Sequence, residues 1–189
     1  MDTKSAILDS ALDLFNAQGT AEVTTNHIAR DAGISPGNLY YHFRNKAEII
    51  RALFERLFNA WDVIFTLDEV RQPTLDDLER LVRANFETLW EYRFAYRELV
   101  ALLRQDDQLK GRFLQVRERG FQGFSELFQH FMAAGVLPPT TGTSDVTDIA
   151  EMCWLISEFW LPYLEVSDRE VDPVWLERGV RLMLRAIGV

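Results

Sequence analysis

Apolar side chains recur three and four positions apart along nearly the whole chain, and glycine, proline or a capping residue interrupts the recurrence at intervals. Ile7/Leu8, Ala11/Leu12 and Leu14/Phe15 mark one face of a first helix, which Gly19 is suited to close. Thr24 then caps a short helix that stops near Gly33. Ser35 followed by Pro36 reads as an N-cap with proline in the first helical position, where the missing N–H costs nothing. Asn45 with Glu48 three residues on resembles a capping box and opens a long helix through Leu53, Leu57, Trp61 and Phe65. Beyond the loop Arg71–Thr74, Thr74 caps a helix to about Tyr92. A shorter helix covers Phe94 to Arg104, and a long one runs from about Asp107 to Ala134. AGVLPPTTGTS is the clearest loop. A helix from about Asp145 follows, with Pro162 expected to kink or end it, and Asp172-Pro173 opens the last helix, which reaches Ile187. The pattern predicts an all-α protein of about nine helices, the first four short or amphipathic and the rest a larger bundle. It contains no convincing strand, internal repeat or low-complexity tract.

Composition narrows the class. At 189 residues with 48% hydrophobic and 26% charged side chains, the chain has the balance of an ordinary globular protein. No apolar run approaches the roughly 20 residues that span a bilayer, and the N-terminus lacks the form of a signal peptide. The single cysteine, Cys153, excludes an intrachain disulfide and suits a reducing compartment, so a cytoplasmic location is expected. The net charge of −9 argues at first against nucleic acid. Its distribution weakens that objection. Residues 1–46 carry only −1, residues 47–189 carry −8, and the stretch 24–46 is +2 through Arg30, Arg44 and Lys46 against Asp31.

The stretch Thr24–Phe43, TTNHIARDAGISPGNLYYHF, combines two short helices with a tight turn. Ala29 presents no bulk where the helices cross, and Gly33 can adopt the positive φ of the turn. Ile28, Ala32, Ile34, Leu39 and Phe43 are expected beneath them. Pro36, Gly37, Asn38, Tyr40, Tyr41 and His42 are then left on the outer side, a surface with hydrogen-bonding groups and few large aliphatics that suits a DNA major groove. Tyr40 as a partly core residue and His42 as a local cap are the plain alternatives.

With Lys46 included, this stretch resembles the helix-turn-helix signature of the TetR family of transcriptional regulators. Thr24, Ile28, Ala29, Ala32, Gly33, Ile34, Ser35, Gly37, Leu39, Tyr40, His42, Phe43 and Lys46 fill its fixed positions. The resemblance implies a DNA-binding domain over residues 1–46 and a helical effector-binding and dimerisation domain over 47–189. It further implies that Pro36, Gly37 and Asn38 sit at the base edges, with Ser35 also among the DNA-binding residues and Asn38 able to donate and accept. Thr25, Tyr40, Tyr41, His42 and Lys46 would serve the phosphates, Lys46 from a helix N-terminus. Proline at position 36, where relatives often carry lysine, leaves base preference open. Repression is the default role in such a family, the partner being double-stranded operator DNA.

The resemblance also implies a homodimer through the last two long helices, whose candidate interface residues are Met152, Ile156, Trp160, Trp175, Gly179, Leu182 and Ala186. Two reading heads would then meet a pseudo-palindrome. Aromatic residues between these regions are either ordinary core or the lining for a small, largely apolar or aromatic effector, with Asn85, Phe86, Trp90, Phe113, Arg117, Phe121, Phe124 and Trp154 as candidate contacts. Arg117 sits on an aromatic face and needs an acceptor; Glu158, an anionic ligand and snorkelling to solvent are the alternatives. An enzyme is the main rival class. His27, His42 and His130 have no second ligand at metal spacing, and no nucleophile elbow or phosphate-cradling loop is present, so no catalytic residue, metal or cofactor is expected. A helical interaction module or ligand-binding protein without DNA regulation is the other rival.

Overall fold

The computed structural model describes residues 2–66, 72–139, 143–167 and 173–189, and these form ten α-helices. They are α1 (Thr3–Gln18), α2 (Thr25–Asp31), α3 (Pro36–His42), α4 (Lys46–Ile64) and α5 (Leu75–Glu91), then α6 (Arg93–Arg97), α7 (Leu99–Gln105), α8 (Asp107–Ala133), α9 (Thr143–Val166) and α10 (Pro173–Ile187). No strand occurs among the described residues. No described helix is long and apolar enough to cross a membrane.

The helix ends follow the punctuation of the chain. Gly19 closes α1 at φ +80°, and Gly33 turns between α2 and α3 at φ +67°. Thr74 and Asp77 cap α5 reciprocally, with the Asp77 N–H donating to Thr74 Oγ1 and the Thr74 N–H to Asp77 Oδ2. At α4 the capping box is offset: Asn45 Oδ1 accepts from the Glu48 N–H at 3.0 Å, but the Glu48 carboxylate reaches back to the Arg44 N–H at 2.8 Å. The expected helix over 94–104 is two helices, because Glu98 leaves helical geometry at φ −111°, ψ 10°. Pro162 does not end α9, which continues to Val166; the proline simply offers no N–H to the Glu158 carbonyl four residues earlier. Of the expected loops and caps, residue 71, residues 140–142 and Asp172 lie outside the described residues.

The chain divides into two compact units. The first holds the residues up to Ala60 together with Tyr92–Lys110; the second holds Trp61–Glu91 and Gly111–Val189. These packing units differ from the expected division after residue 46, because α6 and α7 belong to the core of the first. Phe94 places its ring 5.4 Å from that of Phe15 on α1 and 6.2 Å from that of Phe54 on α4. All three are buried, each contributing about 1.5–3 kcal/mol of apolar transfer. In the second unit, α10 packs on α5 and α9. Gly179 makes that approach possible, since a Cβ there would overlap the Phe86 ring and lie 2.9 Å from Trp160 Nε1.

Candidate nucleic-acid interface

The first unit presents α2 and α3 as a braced pair. Thr24 Oγ1 accepts from the His27 N–H at 3.2 Å, and His27 Nδ1 accepts from the Thr24 N–H at 3.4 Å. The Ile34 N–H donates to the Ala29 carbonyl at 2.9 Å, which locks the turn. Ser35 Oγ accepts from the Asn38 N–H at 3.2 Å, with Pro36 beginning α3. Ile28, Ala29, Leu39 and Phe43 are buried beneath the pair, whereas Ala32 and Ile34 are half-buried at its edge.

The outer face carries the expected residues. Pro36, Gly37 and Asn38 are exposed, Tyr40 is 49% and Tyr41 83% exposed, and His42 is half-buried against the edge of the Tyr41 ring. Tyr40 is therefore mainly a surface residue, and its hydroxyl shares a 2.9 Å hydrogen bond with Thr25 Oγ1. Gly37 is informative. A Cβ there would meet nothing nearer than Ser35 Oγ at 4.0 Å, and its φ is not positive. Nothing inside the unit requires glycine, so the bare backbone is available to something outside it.

Lys46 departs from expectation. Its ammonium is not held out toward a phosphate; it donates to the Thr20 carbonyl at 2.5 Å and the Val23 carbonyl at 2.9 Å. The physical reason is the turn between α1 and α2, whose carbonyls have no helical partners.

In the second unit the effector candidates fall into two groups. Phe121 on α8 stacks on Trp154 of α9 at 4.3 Å, and Phe124 meets the same indole edge-on at 6.4 Å. The Arg117 guanidinium lies 5.6 Å from the Phe121 ring centre, with its Nε 3.4 Å from Glu158 Oε1. Both of those atoms are buried without a hydrogen bond. Burial pushes the Glu158 carboxyl up from its ordinary pKa, and the Arg117 charge opposes this only in part. The second group is packed core: Phe86 is fully buried, Trp90 lies 5.2 Å from Trp175, and Phe113 is buried. Asn85 joins α5 to α9 by donating to Ser157 Oγ at 3.1 Å. Gly120 is not among the expected contacts, yet a Cβ there would come within 2.8 Å of Trp154. A glycine inside a helix costs about 1 kcal/mol, and that was the signal available.

The profile described as "Bacterial regulatory proteins, tetR family" matches residues 7–53, and that described as "Bacterial transcriptional repressor" matches residues 59–187. The chain belongs to the TetR family. A TetR-family regulator from Marinobacter aquaeolei VT8 is similar at 33% identity and a TM-score of 0.89, with 99% of this chain and 90% of that one covered. The transcriptional regulator SrpR of Pseudomonas putida is 26% identical over 72% of this chain, which spans 64% of SrpR's length. TtgR of Pseudomonas putida is 38% identical over 32% of this chain and 29% of its own. That family is one of helix-turn-helix transcriptional regulators, a non-enzymatic class.

For this TetR-family chain the expected interface residues need correction. Trp160, Trp175 and Gly179 are buried inside the second unit, with Gly179 against Phe86 and Trp160, and Trp175 against Trp90. The close approach that small residues allow is used within the chain. Ile156, Leu182 and Ala186 are half-buried. Met152 is 43% exposed and continues a line with Leu155, Phe159, Tyr163 and Val166, all exposed and three or four residues apart on α9.

Proposed function

We propose that this TetR-family regulator is a homodimeric, cytoplasmic repressor that leaves a pseudo-palindromic operator when it binds a small aromatic effector. One observation carries the DNA reading: α3 is rigidly capped yet exposes Pro36, Gly37, Asn38 and Tyr41, with a glycine that no internal packing requires. Asn38 would read a base edge. Ser35, Tyr40, Tyr41 and His42 would meet the backbone together with Thr25. Lys46, with its ammonium on the Thr20 and Val23 carbonyls, would support this surface from behind instead of meeting a phosphate.

The exposed line on α9 supports dimerisation, since five large apolar side chains on one helix face would be covered by the same face of a second copy. The effector reading rests on Phe121, Phe124 and Trp154 beside the poorly bonded Arg117–Glu158 pair. A flat apolar molecule with a group that both accepts and donates would satisfy Arg117 Nε and Glu158 Oε1 together. Selection of duplexes by the full-length protein from a random-sequence pool is the test. Two half-sites about 34–36 Å apart, or a multiple of this, are expected. Recovery of no enriched sequence would overturn the reading.

A further inference from the structure

The turn between α1 and α2 is held from two sides. Thr20, only 7% exposed, donates its N–H to Glu98 Oε1 at 2.8 Å and its hydroxyl to Glu98 Oε2 at 2.5 Å. From the other side the Lys46 ammonium takes the Thr20 carbonyl and the Val23 carbonyl. One residue is thus gripped by a carboxylate on its donors and an ammonium on its acceptor. Gly19 makes room for this, because a Cβ there would sit 3.2 Å from Glu98 Oε1.

The position of each group gives the grip a consequence. Thr20–Val23 lead directly into Thr24, the cap of α2; Lys46 begins α4 just after Phe43, the apolar residue that closes α3. A single ammonium therefore joins the strand of chain that leads into the helix-turn-helix to the one that leaves it. Glu98 fastens this joint to the break between α6 and α7. The same junction is held by the Phe94 N–H on Asn16 Oδ1 at 3.0 Å and by Arg97 Nη1 on the Asn16 carbonyl at 3.2 Å. All of these residues lie in the first compact unit.

We infer that Glu98 and Lys46 are positioning residues for DNA reading, acting through Thr20 to hold α2 and α3 in register with α1 and α4. The inference rests on α2–α3 being the DNA-reading surface. Charge-assisted bonds are roughly twice as strong as neutral ones, and losing one partner strands the other. Because both groups act on one residue, their effects overlap instead of adding. Neither works by neutralising phosphate, so counterion release is the same without them.

The experiment uses the full-length protein, a duplex selected by the wild type, and a temperature well below melting. Glu98→Ala and Lys46→Met each weaken binding about tenfold, and the double variant is about as weak as the worse single instead of about a hundredfold weaker. The slope of log affinity against log salt stays at the wild-type value in all of them. Thr20→Val removes only the hydroxyl bond and weakens binding by about threefold, which guards against a variant that fails to fold. Amide hydrogen exchange, which needs no DNA, rises from Thr20 through α3 in each variant. A wild type that binds no duplex would therefore refute the DNA reading while exchange still tested the clamp. Wild-type affinity in Glu98→Ala and Thr20→Val, or exchange confined to Thr20, overturns the inference. So does a Lys46→Met slope lower by about one, the mark of a phosphate contact.

Discussion

Asn38 is the side chain best placed to choose a sequence, because it is exposed near the start of a capped helix and carries both a donor and an acceptor. Asn38→Ala should cost about 1–3 kcal/mol at one position of each half-site and relax preference there, which competition among single-base variants of the selected duplex will show. Two carboxylates make opposite pH predictions. Glu158 holds its proton more tightly folded than unfolded, so its burial opposes stability increasingly as pH rises through and above the usual carboxylate range. Glu158→Gln should therefore raise the melting temperature at neutral pH by a few degrees, and the gain should vanish in acid. Burial would raise Asp106 as well, but there the Leu109 N–H and Arg51 Nη1, at 3.0 Å and 2.6 Å, outweigh it and the net shift is downward. Its stabilisation is present above the unfolded value and is lost as pH falls, so Asp106→Asn should destabilise at neutral pH and matter little in acid. Thermal melts of both variants across pH decide the signs.

At the scale of single helices, α9 and α10 bury residues that were expected at a dimer interface. On α9, Met152, Leu155, Phe159, Tyr163 and Val166 face outward, while Cys153, Trp160 and Leu164 are buried. Phe159→Glu should yield monomers by light scattering without a large loss of melting temperature, since the side chain is 44% exposed in the single chain. Gly179→Ala should do the reverse. Its new Cβ would collide with Phe86 and Trp160, and overpacking of this kind costs about 1–3 kcal/mol. A Gly179→Ala protein that melts as the wild type, or a Phe159→Glu protein that stays dimeric, would refute these assignments.

For the whole molecule, effector and DNA are linked whatever path joins them. If an aromatic compound lowers operator affinity by a given factor, operator must lower affinity for that compound by the same factor, typically through about 1–3 kcal/mol of coupling. Titration of a compound that raises the melting temperature, with and without the selected duplex, measures both sides of the cycle. Equal affinities in the two titrations would mean that the compound is no inducer.

Fold class, helix caps and the outward face of α3 were legible in the sequence because each depends on neighbours a few residues away. Ser35–Pro36, Thr24–His27 and the glycine at 33 act within one turn of backbone, and the family signature is itself local. The bounds of the last helix were legible too, but the inward placement of Trp175 and Gly179, expected at a dimer interface, was not. Periodicity tells how many faces are apolar and cannot tell which one meets the same chain and which a second copy. Lys46 shows the same limit: a lysine at a helix N-terminus suits phosphate equally well in any sequence. Its ammonium turns inward because Thr20, 26 residues earlier, is already held by Glu98, 78 residues later than Thr20. Contacts across such separations are made by packing, so only the tertiary structure could decide them.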